Sequence, residues 1–510
     1  MDRHISRRAL LGGAGALTAG AAVGGRKSST RDTAVSVPNS EAIVSAALAA
    51  LGRTSLRHPG SLPFPDLPPG TDTMPQIEHI VMLMMENHSF DNFLGCLPAS
   101  RGVDGFTIST SDPSTWPSWN PNGVVASNPS LTRGSAQNAY HMVTTCQHSG
   151  SPTQEWSASH EQYDGGKMDG FVTCVSYGMP APAGPVGMAY WNQEDLPVLY
   201  CLANAFPLAD RWFQSLLGQT DPNRRYLIAA TSSGMVDDID ISTSGLDLRG
   251  TIQDLLLPVP ANGTIFDLLA AFDISFVNYT ASYPTGTTAE MYPDNDAALT
   301  ALYQKSLDDF FSDCALGTLP AFSFLDENYD TQSQENPQDI VVGEQLIYDV
   351  VSALANSPNW SSTLLIINYD EHGGYYDHVL PPVALAPDAI APVVEPGQEA
   401  YDGFTRYGFR VPALVVSPYA TPGGVTHSLY DHTSILAMME RKWNLPAMTF
   451  RDANANDLMG FLDLSGPARS FEEFLTLAGY PMLAGPAPSN CPAVAPTIGP
   501  EGSVTATPWS

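Results

Sequence analysis

Short, mostly apolar runs alternate along this chain with longer stretches whose apolar residues recur at helical spacing. The runs are Ile77 to Met85, Ile274 to Tyr279, Thr363 to Ile367 and Val411 to Val416. Runs of this length, mostly apolar with few polar interruptions, read as strands buried on both faces of a parallel sheet. Leu196 to Leu208, Gly343 to Leu354 and Ser434 to Trp443 have the three-and-four spacing of amphipathic helices. A helix over the residues from Thr264 leads into the Ile274 run, and another follows Pro467. Strands alternating with helices predict an α/β fold, a three-layer α/β/α sandwich around a mostly parallel sheet.

The ends of the chain follow a different pattern. Ser6-Arg7-Arg8 precedes a weakly apolar run of small residues from Gly12 to Gly25. That run is too short and too rich in Gly and Ala to span a bilayer comfortably, so residues 1–33 read as a Tat-type signal peptide. Residues 34–73 are rich in Pro, Ser and Gly and read as a linker or strap, with a short helical stretch from Ala42 to Leu51. No break in the middle divides the rest, which predicts one catalytic domain over residues 74–480 and an irregular tail over 481–510. After signal removal no transmembrane segment remains, and the expected location is exported: periplasm, cell surface or medium.

Composition narrows the partners. The formal net charge is −31. An acidic surface cannot release counterions from nucleic acid and is repelled by anionic membranes. Six cysteines, Cys96, Cys146, Cys174, Cys201, Cys314 and Cys491, include no C-x-x-C pair, which argues against a zinc ribbon. An even number in an exported protein allows disulfides without saying which cysteines pair.

Chemistry enters where the strands end. Glu86-Asn87 follows the first apolar run and Asp370-Glu371 follows the third. Ligands bind beyond the carboxyl ends of parallel strands, so these four residues predict one shared metal site. Oxygen donors suit Ca, Mg or Mn, and a nearby imidazole would shift the choice toward Zn. Any one such dipeptide serves equally well as a helix cap or a surface ion pair. In Gly218-Gln219-Thr220-Asp221-Pro222, Thr220 sits on a tight turn, where it can act as a nucleophile or cap a helix from Tyr226 to Ala230. His372 and His378 flank the Gly373-Gly374 reversal, with Asp377 placed to orient His378. No G-x-S-x-G elbow is present, against a serine hydrolase.

Taken in order, Met85-Glu86-Asn87-His88-Ser89-Phe90-Asp91, Gly166-Lys167-Met168-Asp169-Gly170-Phe171, Thr220-Asp221-Pro222-Asn223-Arg224, Tyr369-Asp370-Glu371-His372-Gly373-Gly374, Phe409-Arg410-Val411-Pro412 and Asp431-His432-Thr433-Ser434 resemble the bacterial phospholipase C / acid phosphatase A phosphoesterase family. The resemblance implies an alkaline-phosphatase-like fold, a metal held by Glu86, Asn87, Asp370 and Glu371, and Thr220 as the hydroxyl nucleophile. It places His148 near the phosphate and leaves His148 and His378 as candidates to bind a phosphoryl oxygen or protonate the leaving alcohol. Where the family often has His-Pro, this chain has Asn336-Pro337, which can hydrogen-bond but cannot transfer a proton. The implied substrate is a phospholipid such as phosphatidylcholine, or a small phosphate ester, cleaved through a phosphothreonine. Trp156, Tyr163, Tyr190 and Trp191 could face a choline head by cation–π attraction, or simply pack. The rival readings are an acid phosphatase on the same residues and a non-enzymatic exported protein with a structural Ca site.

Overall fold

The apolar run before Glu86 forms a strand buried along its whole length, and the sheet is built outward from it. The computed structural model describes residues 39–105, 126–142, 144–147, 153–175, 184–238, 260–281, 303–328, 331–491, 496–498 and 504–506. The expected signal peptide over residues 1–33 and His148 lie outside these residues. Eight strands make the main sheet: β1 (His79–Met85), β2 (Leu208–Ala209), β3 (Phe276–Thr280), β4 (Gln304–Ser306), β5 (Phe322–Asp326), β6 (Thr363–Tyr369), β7 (Ala413–Val416) and β8 (Val425–Thr426). Their order is β8-β2-β7-β6-β1-β5-β3-β4. Only β7 runs antiparallel to its neighbours, so the sheet is mostly parallel. All seven residues of β1 and all seven of β6 are buried, which is why both read as continuous apolar runs.

The helices that cover the sheet are α1 (Glu41–Ala50), α2 (Phe90–Leu94), α3 (Trp156–Tyr163), α4 (Pro197–Ala205), α5 (Thr220–Ala229), α6 (Ile265–Ala271), α7 (Leu307–Leu316), α8 (Ile340–Ala355), α9 (Thr433–Trp443), α10 (Phe450–Asn454) and α11 (Phe471–Leu477). They pack in two sets: α4, α7, α8 and α11 touch one another, as do α5, α6, α9 and α10. One set on each face gives the three-layer sandwich. The core joins Val81 and Leu83 of β1 to Leu346 and Ile347 of α8 and to Ile435 and Met438 of α9.

Two elements differ from the sequence reading. β5 lies directly beside β1, yet its run, Phe322-Ser323-Phe324-Leu325, is short and broken by a serine. Helix α5 begins at Thr220, not Tyr226, because Pro222 falls in the first turn, where no backbone N–H is needed.

The segment from Asn39 to Thr73 lies along the outside of α9 and α10. Asn444 Oδ1 accepts the Phe64 N–H at 2.9 Å, Asn454 Oδ1 accepts the Arg57 N–H at 2.9 Å, and the Thr73 N–H donates to Lys442 O at 2.7 Å. At the other terminus Cys146 and Cys491 form a disulfide, and Asn490 Oδ1 accepts the Thr145 N–H at 2.6 Å. The other four cysteines are buried and free. Beyond them, Pro496–Ile498 pairs with Val504–Ala506. Among the described residues no helix is long and apolar enough to cross a membrane.

Candidate active site

Strands β1 and β6 end level. Met85 pairs with Tyr369, and the Asp370 N–H donates to Met85 O at 3.0 Å. The next residues of both strands, Glu86-Asn87 and Asp370-Glu371, therefore emerge side by side. Asp370 Oδ1 accepts the Asn87 N–H at 2.9 Å and the Glu371 N–H at 2.7 Å. Asn87 turns the chain with a φ of 62°, a left-handed conformation that asparagine tolerates. Opposite it, Gly373 has a φ of 65°, and a Cβ there would lie 1.8 Å from Asn87 O. The close approach of the two turns thus requires glycine. All four predicted ligands are 2% exposed or less.

Helix α5 delivers Thr220 to this point. Gln219 is the N-cap residue and makes no side-chain cap bond, so the Thr220 hydroxyl is not used as a cap. It lies 3.3 Å from Glu86 Oε2 and 3.3 Å from Asn87 Oδ1. Thr220 is half-buried while the carboxylates beneath it are buried, so the hydroxyl is the group a substrate can reach. One turn further along, Arg224 enters the site. Its Nη2 is 2.6 Å from Glu86 Oε1 and its Nε is 3.4 Å from Asp370 Oδ2. Asp326 and Glu327, at the end of β5, stand 3.6 Å and 3.4 Å from the same guanidinium. The sequence reading missed both. They repeat the pattern of an acid pair after an apolar run, hidden because the run is broken.

Four buried carboxylates, those of Glu86, Asp326, Glu327 and Asp370, surround one guanidinium, and Glu371 follows Asp370 directly in the chain. Burial and then Asp370 push the Glu86 carboxyl well above the usual range, with Arg224 opposing. Burial and then Asp370 do the same to Glu371. Burial raises Glu327 to about 8 against the pull of Arg224. Glu327 Oε2 is buried with no hydrogen-bond partner. An all-oxygen donor set with an orphaned carboxylate oxygen fits a hard divalent cation.

A tighter group of donors lies elsewhere. Among the described residues, donor atoms of Asp91, Asp377 and His378 fall within 4.8 Å of one another. Arg410 already supplies the positive charge there, 2.8 Å from Asp91 and 2.9 Å from Asp377. Glu86, Asp370 and Glu371 are not gathered so closely, since Arg224 stands between Glu86 and Asp370.

The histidines divide by environment. The described contacts of His378 are with Asp91 at 2.7 Å, Asp104 at 3.2 Å and Arg410 at 3.3 Å, and do not include Thr220 or the four predicted ligands. Burial lowers its ring pKa, but Asp91 and Asp104 outweigh burial and raise it to about 10. His432 Nε2 lies 2.7 Å from Asp370 O, and its Nδ1 lies 3.1 Å from Asn368 Nδ2, so it braces the strand end. Burial pulls His432 and His372 down to about 3, which keeps both neutral. Asn336 Nδ2 donates to the Tyr375 hydroxyl at 3.0 Å. Trp156 and Trp191 are fully buried, their indoles donating to Glu399 O and Thr144 O, both at 2.9 Å, and they pack. The guanidinium of Arg406 lies over Tyr163, and Tyr190 is buried.

Comparison with known proteins gives a consistent set. The model of the phosphoesterase family matches residues 77–446. Phospholipase C B of Mycobacterium tuberculosis is 29% identical over 77% of this chain and 78% of its own length. Non-specific phospholipase C3 of Arabidopsis thaliana is 32% identical over 78% of this chain and 76% of its own. A solved alkaline phosphatase superfamily protein from Vibrio parahaemolyticus is 11% identical, with a TM-score of 0.31 over 66% of this chain and 73% of that one.

Proposed function

The chain belongs to the phosphoesterase family, and from that premise we propose that it cleaves the phosphodiester of a phospholipid such as phosphatidylcholine, with Thr220 as nucleophile. Its class is that of a hydrolase acting on phosphoric ester bonds. The observation that carries the finer reading is that Thr220, a half-buried residue, holds its hydroxyl 3.3 Å from oxygens of both Glu86 and Asn87.

Glu86, Asn87, Asp370 and Glu371 would hold a divalent cation (Ca, Mg, Mn or Zn), which when bound lowers a hydroxyl pKa and neutralises phosphoryl charge. The protein's own residues do the rest. Thr220 Oγ1 attacks phosphorus in line as its hydroxyl proton passes to water; the Oγ1–P bond forms and the bond from phosphorus to the diacylglycerol oxygen breaks. The departing alkoxide takes a proton. Water then attacks the phosphothreonine from the opposite side, regenerating the hydroxyl and releasing phosphocholine. Alignment and charge stabilisation supply most of the acceleration. His378 is an imidazolium held by two carboxylates at neutral pH, so within this reading it acts as a structural cation. His148 is then the candidate acid.

Export through the twin-arginine leader is part of the same proposal. An acid phosphatase is the alternative on identical residues, and the relatives named phospholipase C favour the diester. Thr220→Val should keep its circular dichroism spectrum and lose hydrolysis of phosphatidylcholine by about 10³-fold or more. Near-normal turnover by that variant removes Thr220 from the mechanism. Wild-type hydrolysis of an aryl phosphate but not of phosphatidylcholine would favour the phosphatase.

A further inference from the structure

The helix that carries Thr220 brings a second group to the same carboxylate. Arg224 is four residues further along α5 and so shares Thr220's face. Glu86 is divided between them: Oε2 lies 3.3 Å from the Thr220 hydroxyl and Oε1 lies 2.6 Å from Arg224 Nη2. The guanidinium spans the neighbouring strand ends: Nε lies 3.4 Å from Asp370, Nη1 lies 3.6 Å from Asp326, and the same Nη2 lies 3.4 Å from Glu327. These side chains are 1% exposed or less, so water neither screens the contacts nor competes for them. A planar fork of five donors can bridge β1, β5 and β6 together, whereas an ammonium is a single point of charge.

We propose that Arg224 is a positioning residue for phosphoester cleavage: it turns Glu86 so that Oε2 faces Thr220, and it holds the three strand ends level. Its burial keeps it from the substrate, so its effect is on the geometry of attack. Glu327 shares Arg224 Nη2 with Glu86 and helps anchor the guanidinium. This inference rests on Thr220 being the nucleophile.

The test compares Arg224→Lys and Arg224→Gln in the full-length, cation-replete protein. Misplacement of reacting groups by about 1 Å costs on the order of 10²-fold in rate. Arg224→Gln should therefore lose kcat by about 100-fold and Arg224→Lys by about 10-fold, with KM within about threefold of wild type. A crystal structure of Arg224→Lys should show Glu86 Oε2 rotated more than about 4 Å from Thr220 Oγ1, beyond hydrogen-bonding reach. If the Arg224 variants do not fold, Glu327→Gln serves, with kcat reduced about threefold or more and KM unchanged. Equal losses in Lys and Gln that track melting temperature mean a purely structural role and overturn the inference. So does wild-type kcat in Arg224→Gln while Thr220→Val is inactive. Turnover by Thr220→Val would instead overturn the nucleophile on which the inference depends.

Discussion

At the residue scale, function follows from partners more than from residue type. Thr220 is an ordinary first-turn threonine by sequence, and its neighbours across the fold make it a candidate nucleophile. His378 shows the reverse. Its spacing after Asp377 points to catalysis, while its bonds to Asp91 and Asp104 support our reading of it as a clamp. That reading has a pH signature. The folded pKa, about 10, lies above the roughly 6.5 of a free imidazole. The protonated ring is therefore favoured by folding. The stabilisation is fully present below the unfolded pKa and is lost as pH rises through the folded one. The melting temperature of wild type should exceed that of His378→Gln most near pH 6, and the gap should close toward pH 10. A gap independent of pH would contradict the clamp. In kinetics, His378→Gln should leave kcat within a few-fold of wild type wherever it remains folded.

At the scale of elements, two strands and two turns build the site. β1 and β6 were legible because a strand buried on both faces must be apolar at every position. The acids just past them were legible as site residues because ligands gather at carboxyl ends of parallel strands. β5 was not legible, since a four-residue run containing Ser323 resembles a loop as much as a strand. The start of α5 was hidden by Pro222, which usually marks a break but is tolerated in a first turn. The turn after β6 carries a sharp prediction. Gly373→Ala forces a left-handed residue to carry a Cβ against Asn87 O. It should cost about 2–4 kcal/mol in urea denaturation and reduce activity with it. Gly466, whose Cβ would meet nothing within 4 Å, is the control, and Gly466→Ala should change stability little. Equal effects at the two positions would mean the turns can separate without loss.

At the scale of the whole molecule, the sandwich is closed by contacts far apart in sequence. The segment 39–73 straps α9 and α10, and Cys146–Cys491 joins residues 345 apart. Cross-linking so long a loop restricts the unfolded chain, so Cys491→Ser should lower stability by about 2–5 kcal/mol in chemical denaturation. An unchanged midpoint under oxidising conditions would show that the tail adds nothing. The amino-acid sequence by itself determined the α/β layering, the two buried strands, the acids and amide at their ends, and the family, because periodicity and local motifs are written residue by residue. Only the tertiary structure decided that Asp326, Glu327 and Arg224 join that site, that His378 pairs with Asp91 and Asp104, and which cysteines bond. Each of those depends on which strands become neighbours and how the side chains turn toward one another, and neither is encoded in any single stretch of chain.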